Sequence, residues 1–128
     1  MPRVLVVADT PWVKSDVHAA LSRPGFQLRD HTDPRTLTEA VIEFEPDVAV
    51  IDLQVAAMGG MAMARSLKAA SLTPAFPEVA VLLLLDRSAD AFLAKRSAAD
   101  GWLQKPFNAT DLRTAVAAAL KEEPNAGT

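Results

Sequence analysis

The sequence predicts an α/β protein, a doubly wound parallel sheet of five strands with five helices, and three observations lead there. Short β-branched or leucine-rich runs alternate with stretches whose apolar residues recur at helical spacing. Three of the five strand runs, residues 4–8, 48–51 and 79–85, are almost wholly apolar, as strands covered on both faces should be. No motif repeats at a fixed period, which argues against a solenoid.

The elements follow in order. Arg3-Val4-Leu5-Val6-Val7-Ala8 reads as a buried strand that stops at Asp9-Thr10-Pro11. Thr10 is placed to cap a helix and Pro11 to occupy its first position. Val13, Val17, Ala20 and Leu21 then form one helical stripe, ended by Pro24-Gly25. Phe26-Gln27-Leu28-Arg29 alternates as a short strand, and Asp33-Pro34 opens a helix carrying Leu37, Ala40, Val41 and Phe44 on one face before Pro46. Val48-Ala49-Val50-Ile51 is a third strand, ended by Asp52. After the Gly59-Gly60 turn, Met61, Ala64 and Leu67 continue as a helix with Lys68 at its edge. A proline-bounded loop, residues 71–77, leads to the strand 79–85, a helix over 88–98, a short strand at 101–103 and a closing helix over 110–121. These elements make one domain, residues 1–121, with a frayed tail at 122–128.

Composition narrows the function. Half of the 128 residues are apolar and 23% are charged, enough for one ordinary core and no case for disorder. A net charge of -3 offers no general attraction for nucleic acid or an anionic membrane, and neither is an expected partner. Without cysteine, thiol catalysis, disulfides and thiolate metal sites are excluded. The longest apolar run, residues 79–85, falls far short of the roughly 20 residues that cross a bilayer. The apolar start, residues 4–8, meets Asp9 too soon for a signal peptide, so a cytoplasmic location is the expectation.

In an open α/β sheet, ligands gather beyond the carboxyl ends of the strands. The residues there are Asp9, Asp52, Asp86 and Lys105. Carboxylates and one ammonium on the same edge can hold a divalent cation and a phosphoryl group between them. Asp86 reads as a helix cap or loop residue rather than a further metal acid, and His18 and His31 as surface residues without partners at ligand spacing. Met61, of the cluster Met58, Met61 and Met63, reads as core. Trp12 falls at the rim of the site, over the acids or against a partner. The basic residues Arg87, Lys95, Arg96, Arg113 and Lys121 read as solvated helix faces.

Four stretches, in order, carry a resemblance. They are Val4-Leu5-Val6-Val7-Ala8-Asp9-Thr10-Pro11, Pro46-Asp47-Val48-Ala49-Val50-Ile51-Asp52-Leu53, Met58-Gly59-Gly60-Met61 and Asp100-Gly101-Trp102-Leu103-Gln104-Lys105-Pro106-Phe107. From Val4 to about Leu120 the chain resembles the CheY-like receiver domain of two-component response regulators. The resemblance implies a flavodoxin-like strand order 2-1-3-4-5. It implies that Asp52 accepts a phosphoryl group from a histidine kinase or phosphotransfer protein, and that Lys105 contacts the phosphoryl oxygens. It further implies that Asp9, Asp52 and the Gln54 backbone carbonyl hold Mg²⁺, and that the Lys105-Pro106 bond is cis. A receiver is a phosphoacceptor rather than a turnover enzyme, at most catalysing its own Mg²⁺-dependent phosphorylation and dephosphorylation. The fourth helix, fifth strand and fifth helix, here residues 88–98, 101–103 and 111–121, commonly carry homodimer or target contacts in the family.

Two departures matter. The family's first acid after the first strand is Ala8 here, so weaker Mg²⁺ binding is expected. Its Thr or Ser switch position at the end of the fourth strand falls on Leu84 or Leu85, neither with a hydroxyl, and the aromatic partner of that switch is Trp102. The leading expectation is a single-domain response regulator phosphorylated on Asp52 that signals to a downstream protein. The alternative is a degenerate receiver acting as a phosphorylation-independent interaction module. A flavin or nucleotide carrier is disfavoured because Ala8-Asp9-Thr10-Pro11-Trp12 lacks an anion-binding loop.

Overall fold

The computed structural model describes residues 2–22 and 25–120. Five parallel strands, β1 (Arg3–Val7), β2 (Gln27–His31), β3 (Val48–Asp52), β4 (Ala80–Leu85) and β5 (Gly101–Gln104), form one sheet in the order β2-β1-β3-β4-β5. Helices α1 (Pro11–Leu21) and α6 (Ala109–Ala119) cover one face. The other face is covered by α2 (Leu37–Phe44), α4 (Gly60–Ala70) and α5 (Ala91–Arg96). These are the five expected helices; a single-turn helix, α3 (Val55–Met58), is added between β3 and α4.

The core divides by strand alternation. Leu5, Val7, Ala49, Ile51, Val81, Leu83 and Leu85 point toward α2, α4 and α5. Val4, Val6, Val48, Val50, Leu82 and Leu84 point toward α1 and α6. Because β1, β3 and β4 are buried on both sides, they are apolar except for Arg3 at the start of β1 and Asp52 at the end of β3, and that is why they read as unbroken runs. The edge strand β2 is half exposed, and it runs to His31 rather than stopping at Arg29 because each of its residues pairs with β1, from Arg3↔Gln27 to Val7↔His31.

Local chemistry adjusts the helix ends. Thr10 occupies the N-cap of α1 but makes no side-chain cap, and Pro11 at the first helical position leaves one amide fewer to satisfy. Asp33 does cap, accepting from the Arg35 amide at 2.9 Å, and what it opens is a 3-10 turn, Pro34–Thr36, ahead of α2. The expected helix over 88–98 is likewise divided into a 3-10 turn, Ser88–Asp90, and α5. Asn108 starts α6 by accepting from the Asp111 amide at 2.7 Å. Pro24, the end of the closing helix at Lys121 and the expected tail at 122–128 lie outside the described residues.

Candidate functional site at the carboxyl edge of the sheet

Parallel pairing brings the ends of β1, β3, β4 and β5 to one edge. Val7 pairs with Ile51, so Ala8 is level with Asp52 and Asp9 lies one step beyond. Asp52 is the last residue of β3, pairs with Leu84 and is fully buried. Its Oδ1 accepts from the Gln54 amide at 3.1 Å and from Lys105 Nζ at 2.6 Å. Its Oδ2, alone among the buried side-chain polar atoms of the described residues, has no hydrogen-bond partner. An unpaired buried carboxylate oxygen costs free energy and calls for an explanation.

Lys105 follows β5, and its amide extends the ladder by donating to the Leu85 carbonyl at 2.7 Å. Only 5% of its side chain is exposed, yet Nζ reaches both Asp52 and, at 3.0 Å, Oδ1 of Asp86. Burial works against the ammonium, but the hydrogen bonds to the two carboxylates outweigh it and hold the Lys105 pKa above its ordinary value. Trp12 lies half exposed at the rim of the site, its ring centroid 5.9 Å from Nζ. The Lys105-Pro106 bond is cis.

Asp9 is exposed, and its Oδ2 accepts from the Ala56 amide at 3.0 Å. Ala56 reaches that position with φ of 50°, a left-handed conformation unusual for a residue with a Cβ. Close beneath, Gly60 packs on the end of β3; a Cβ there would stand 2.5 Å from the Asp52 carbonyl oxygen. The donor set suits a hydrated Mg²⁺. Such an ion takes one or two carboxylates and fills the rest of its octahedron with water, carbonyl and substrate oxygens. Asp9 and Asp52 are the two carboxylates available here, and no group of three or more acids or histidines among the described residues makes a closed protein cage.

The two positions considered for the switch separate by face. Leu84 is paired with Asp52 and Leu103 and faces α1 and α6. Leu85 faces α5, the side shared with Leu83 and its partner Trp102. Both leucines are buried, while Trp102 is 38% exposed with Lys95 Nζ 5.9 Å from its ring.

Asp86 lies in the loop after β4, one of the two readings the sequence offered; it makes no cap, and its side chain is the second carboxylate on Lys105. The cap next to it is Asp90, which accepts from the Arg87 amide at 3.2 Å and from the Arg87 guanidinium at 3.1 Å. The spacing Arg87-x-x-Asp90 was the available signal for that pair. His18, on α1, meets Asp30 at 2.8 Å, and His31, which ends β2 on the far side of β1 from Asp52, meets the Asp33 carbonyl and the Thr36 hydroxyl. Met61 is partly buried against the core and Met63 is buried; the Met58 side chain lies outside the described residues. Of the solvated cations, Arg113 reaches back to the Ala20 carbonyl at 3.3 Å.

Residues 4–117 match the family model described as response regulator receiver domain. The DNA-binding response regulator MtrA of Mycolicibacterium smegmatis is 31% identical over 119 residues, which is 93% of this chain and 50% of that protein. RpaA of Synechocystis sp., a DNA-binding dual master transcriptional regulator, is 26% identical over 94% of this chain and 50% of its own length. The chain thus spans about half the length of the curated relatives it matches. Among solved structures, chemotaxis response regulator CheY4 of Vibrio cholerae superposes with a TM-score of 0.78 at 23% identity, covering 93% of this chain and 98% of that one. NtrX of Brucella abortus gives 0.79 at 25% identity, over 94% of this chain and 26% of its own.

Proposed function

The chain belongs to the response regulator receiver domain family, whose members serve two-component signalling, and from that premise we propose that Asp52 is its phosphoacceptor. The observation that carries the reading is the buried carboxylate with one oxygen held and the other free. Lys105 and the Gln54 amide fix Oδ1, which leaves Oδ2 as the nucleophile. Oδ2 attacks phosphorus and forms a new O–P bond. The bond from phosphorus to the donor, a phosphohistidine nitrogen or the bridging oxygen of acetyl phosphate, breaks with its electron pair on the leaving group. The product is an aspartyl phosphate. The Lys105 ammonium follows the negative charge onto the phosphoryl oxygens, as a compact cation near a spreading anion can. Asp9, Asp52 and the Gln54 carbonyl are the residues that would hold Mg²⁺, which when bound neutralises charge between the carboxylate and the phosphoryl group. With Ala8 in place of an acid, that site is the weaker for one carboxylate.

The partners proposed are a histidine kinase or phosphotransfer protein and a downstream protein. The exposed rings of Phe92 on α5 and Trp102 on β5 mark the face where a target or a second copy would dock. Incubation with acetyl phosphate and Mg²⁺ followed by intact-mass spectrometry tests the acceptor. One phosphoryl group is expected on the wild type and none on Asp52→Asn; no gain on either would refute it.

A second reading has its own observation. Leu85, on the face shared with Trp102, has no hydroxyl to follow a phosphoryl group, so the differential affinity that drives switching is reduced. On that reading the face with Phe92 and Trp102 binds its partner regardless of phosphorylation, and Asp52→Asn would leave partner binding unchanged.

A further inference from the structure

Asp86 has no part in the chemistry described above, yet it holds the site's one lysine. It follows β4 directly, as Lys105 follows β5, and the Lys105 amide bonded to the Leu85 carbonyl fixes the two residues side by side. The strand ladder thus sets the two residues within reach of each other, and Asp86 Oδ1 lies 3.0 Å from Nζ. Asp86 has no other ion-pair partner among the described residues, because the guanidinium of neighbouring Arg87 is turned to Asp90. The ammonium is thus shared between two carboxylates before any phosphoryl group arrives.

We infer that Asp86 is an internal anion that competes with the phosphoryl group for Lys105 and lowers the affinity of the site for anions. The inference rests on the reading of Asp52 as phosphoacceptor and adds a residue that sets how readily that site is filled. Asp86 is 38% exposed on its side chain and carries no core packing, so its charge can be removed without emptying the interior. Substitution by asparagine keeps the shape and an oxygen for Nζ and deletes only the charge. One unit of like charge at roughly 6 Å, in an effective dielectric of about 40, corresponds to about a tenfold change in affinity.

The probe is beryllofluoride, titrated calorimetrically at saturating Mg²⁺. Asp86→Asn and Asp86→Ser are expected to bind it about tenfold more tightly than the wild type. Asp86→Glu, which keeps the charge, is expected to stay within a few-fold of wild type. Glu78→Gln, an equal change of net charge at the far end of β4, is expected to have no effect. Equal or weaker binding by both charge-deleted variants, an equal gain in Glu78→Gln, or no measurable binding by any of them overturns the inference. Phosphoryl labelling of wild type but not Asp52→Asn, combined with no gain in the Asp86 variants, removes the inference and leaves the acceptor reading standing. Absence of labelling in all of them removes both.

Discussion

The two ends of the sheet each carry a lysine–aspartate pair of ordinary length, and they differ in burial and in what is left unpaired. At the amino edge Lys68 meets Asp100 at 2.9 Å, with about a quarter of each side chain exposed, and the same Asp100 oxygen accepts from the Val81 amide at 2.7 Å. At the carboxyl edge Lys105 meets Asp52 at 2.6 Å, almost wholly buried, and one carboxylate oxygen is left without a partner. The first aspartate puts one oxygen on both the Val81 amide and Lys68, keeps partial exposure to water, and ties β4 to the turn before β5. The second keeps capacity in reserve in a place where reserve is costly. Two pairs of the same residue types thus differ in what is satisfied, and the proposed phosphoacceptor is the one left with an unpaired oxygen.

Lys105→Met sharpens the contrast most. It leaves Asp52 buried without its counter-ion, and breaking a buried pair from one side costs about 3–5 kcal/mol. Urea denaturation should show that loss, together with no phosphoryl labelling at Asp52. Asp52→Asn should cost far less, because Lys105 retains Asp86. A milder loss in Lys105→Met than in Asp52→Asn would mean that the pair holds the fold rather than the site.

Next in size is Gly60→Ala. The added methyl meets the Asp52 carbonyl oxygen and the Leu53 Cα at 2.5 and 2.6 Å, both backbone atoms that cannot swing aside. Overpacking of this kind costs about 1–3 kcal/mol. Since the strain falls on the end of β3, beryllofluoride affinity should fall along with the urea midpoint. A variant with wild-type stability would show that α4 can slide away from the strand.

What was legible in the sequence follows the same division. β1, β3 and β4 are buried on both faces, so their residues between the strand ends had little freedom to be polar and announced themselves; β2, an edge strand with Arg29 and Asp30 exposed, was bounded by its pairing with β1 and not by its own composition. Asp9, Asp52 and Lys105 were visible because strand ends at one sheet edge are the places where polar residues gather. The attachment of Asp86 to Lys105 was not, because it depends on β4 and β5 lying side by side, which one residue's neighbours in sequence do not reveal. Nor was the Ala56 amide that anchors Asp9, since a main-chain donor has no residue signature and alanine gives no warning of a left-handed backbone.

The smallest expected effect is at the amino edge, and it tests the comparison from the other side. Lys68→Met removes a partner from Asp100 but leaves that carboxylate partly hydrated and still bonded to the Val81 amide. A pair with this exposure is worth about 1 kcal/mol or less and is screened by salt. Urea midpoints measured at low and high ionic strength should therefore converge for wild type and Lys68→Met as salt rises, with beryllofluoride affinity unchanged throughout. The corresponding deficit in Lys105→Met should persist in high salt, because a pair this deeply buried is screened far less than an exposed one. If the two deficits respond to salt alike, burial is not what distinguishes the edges, and the free oxygen of Asp52 would have to be explained by something other than a site kept open.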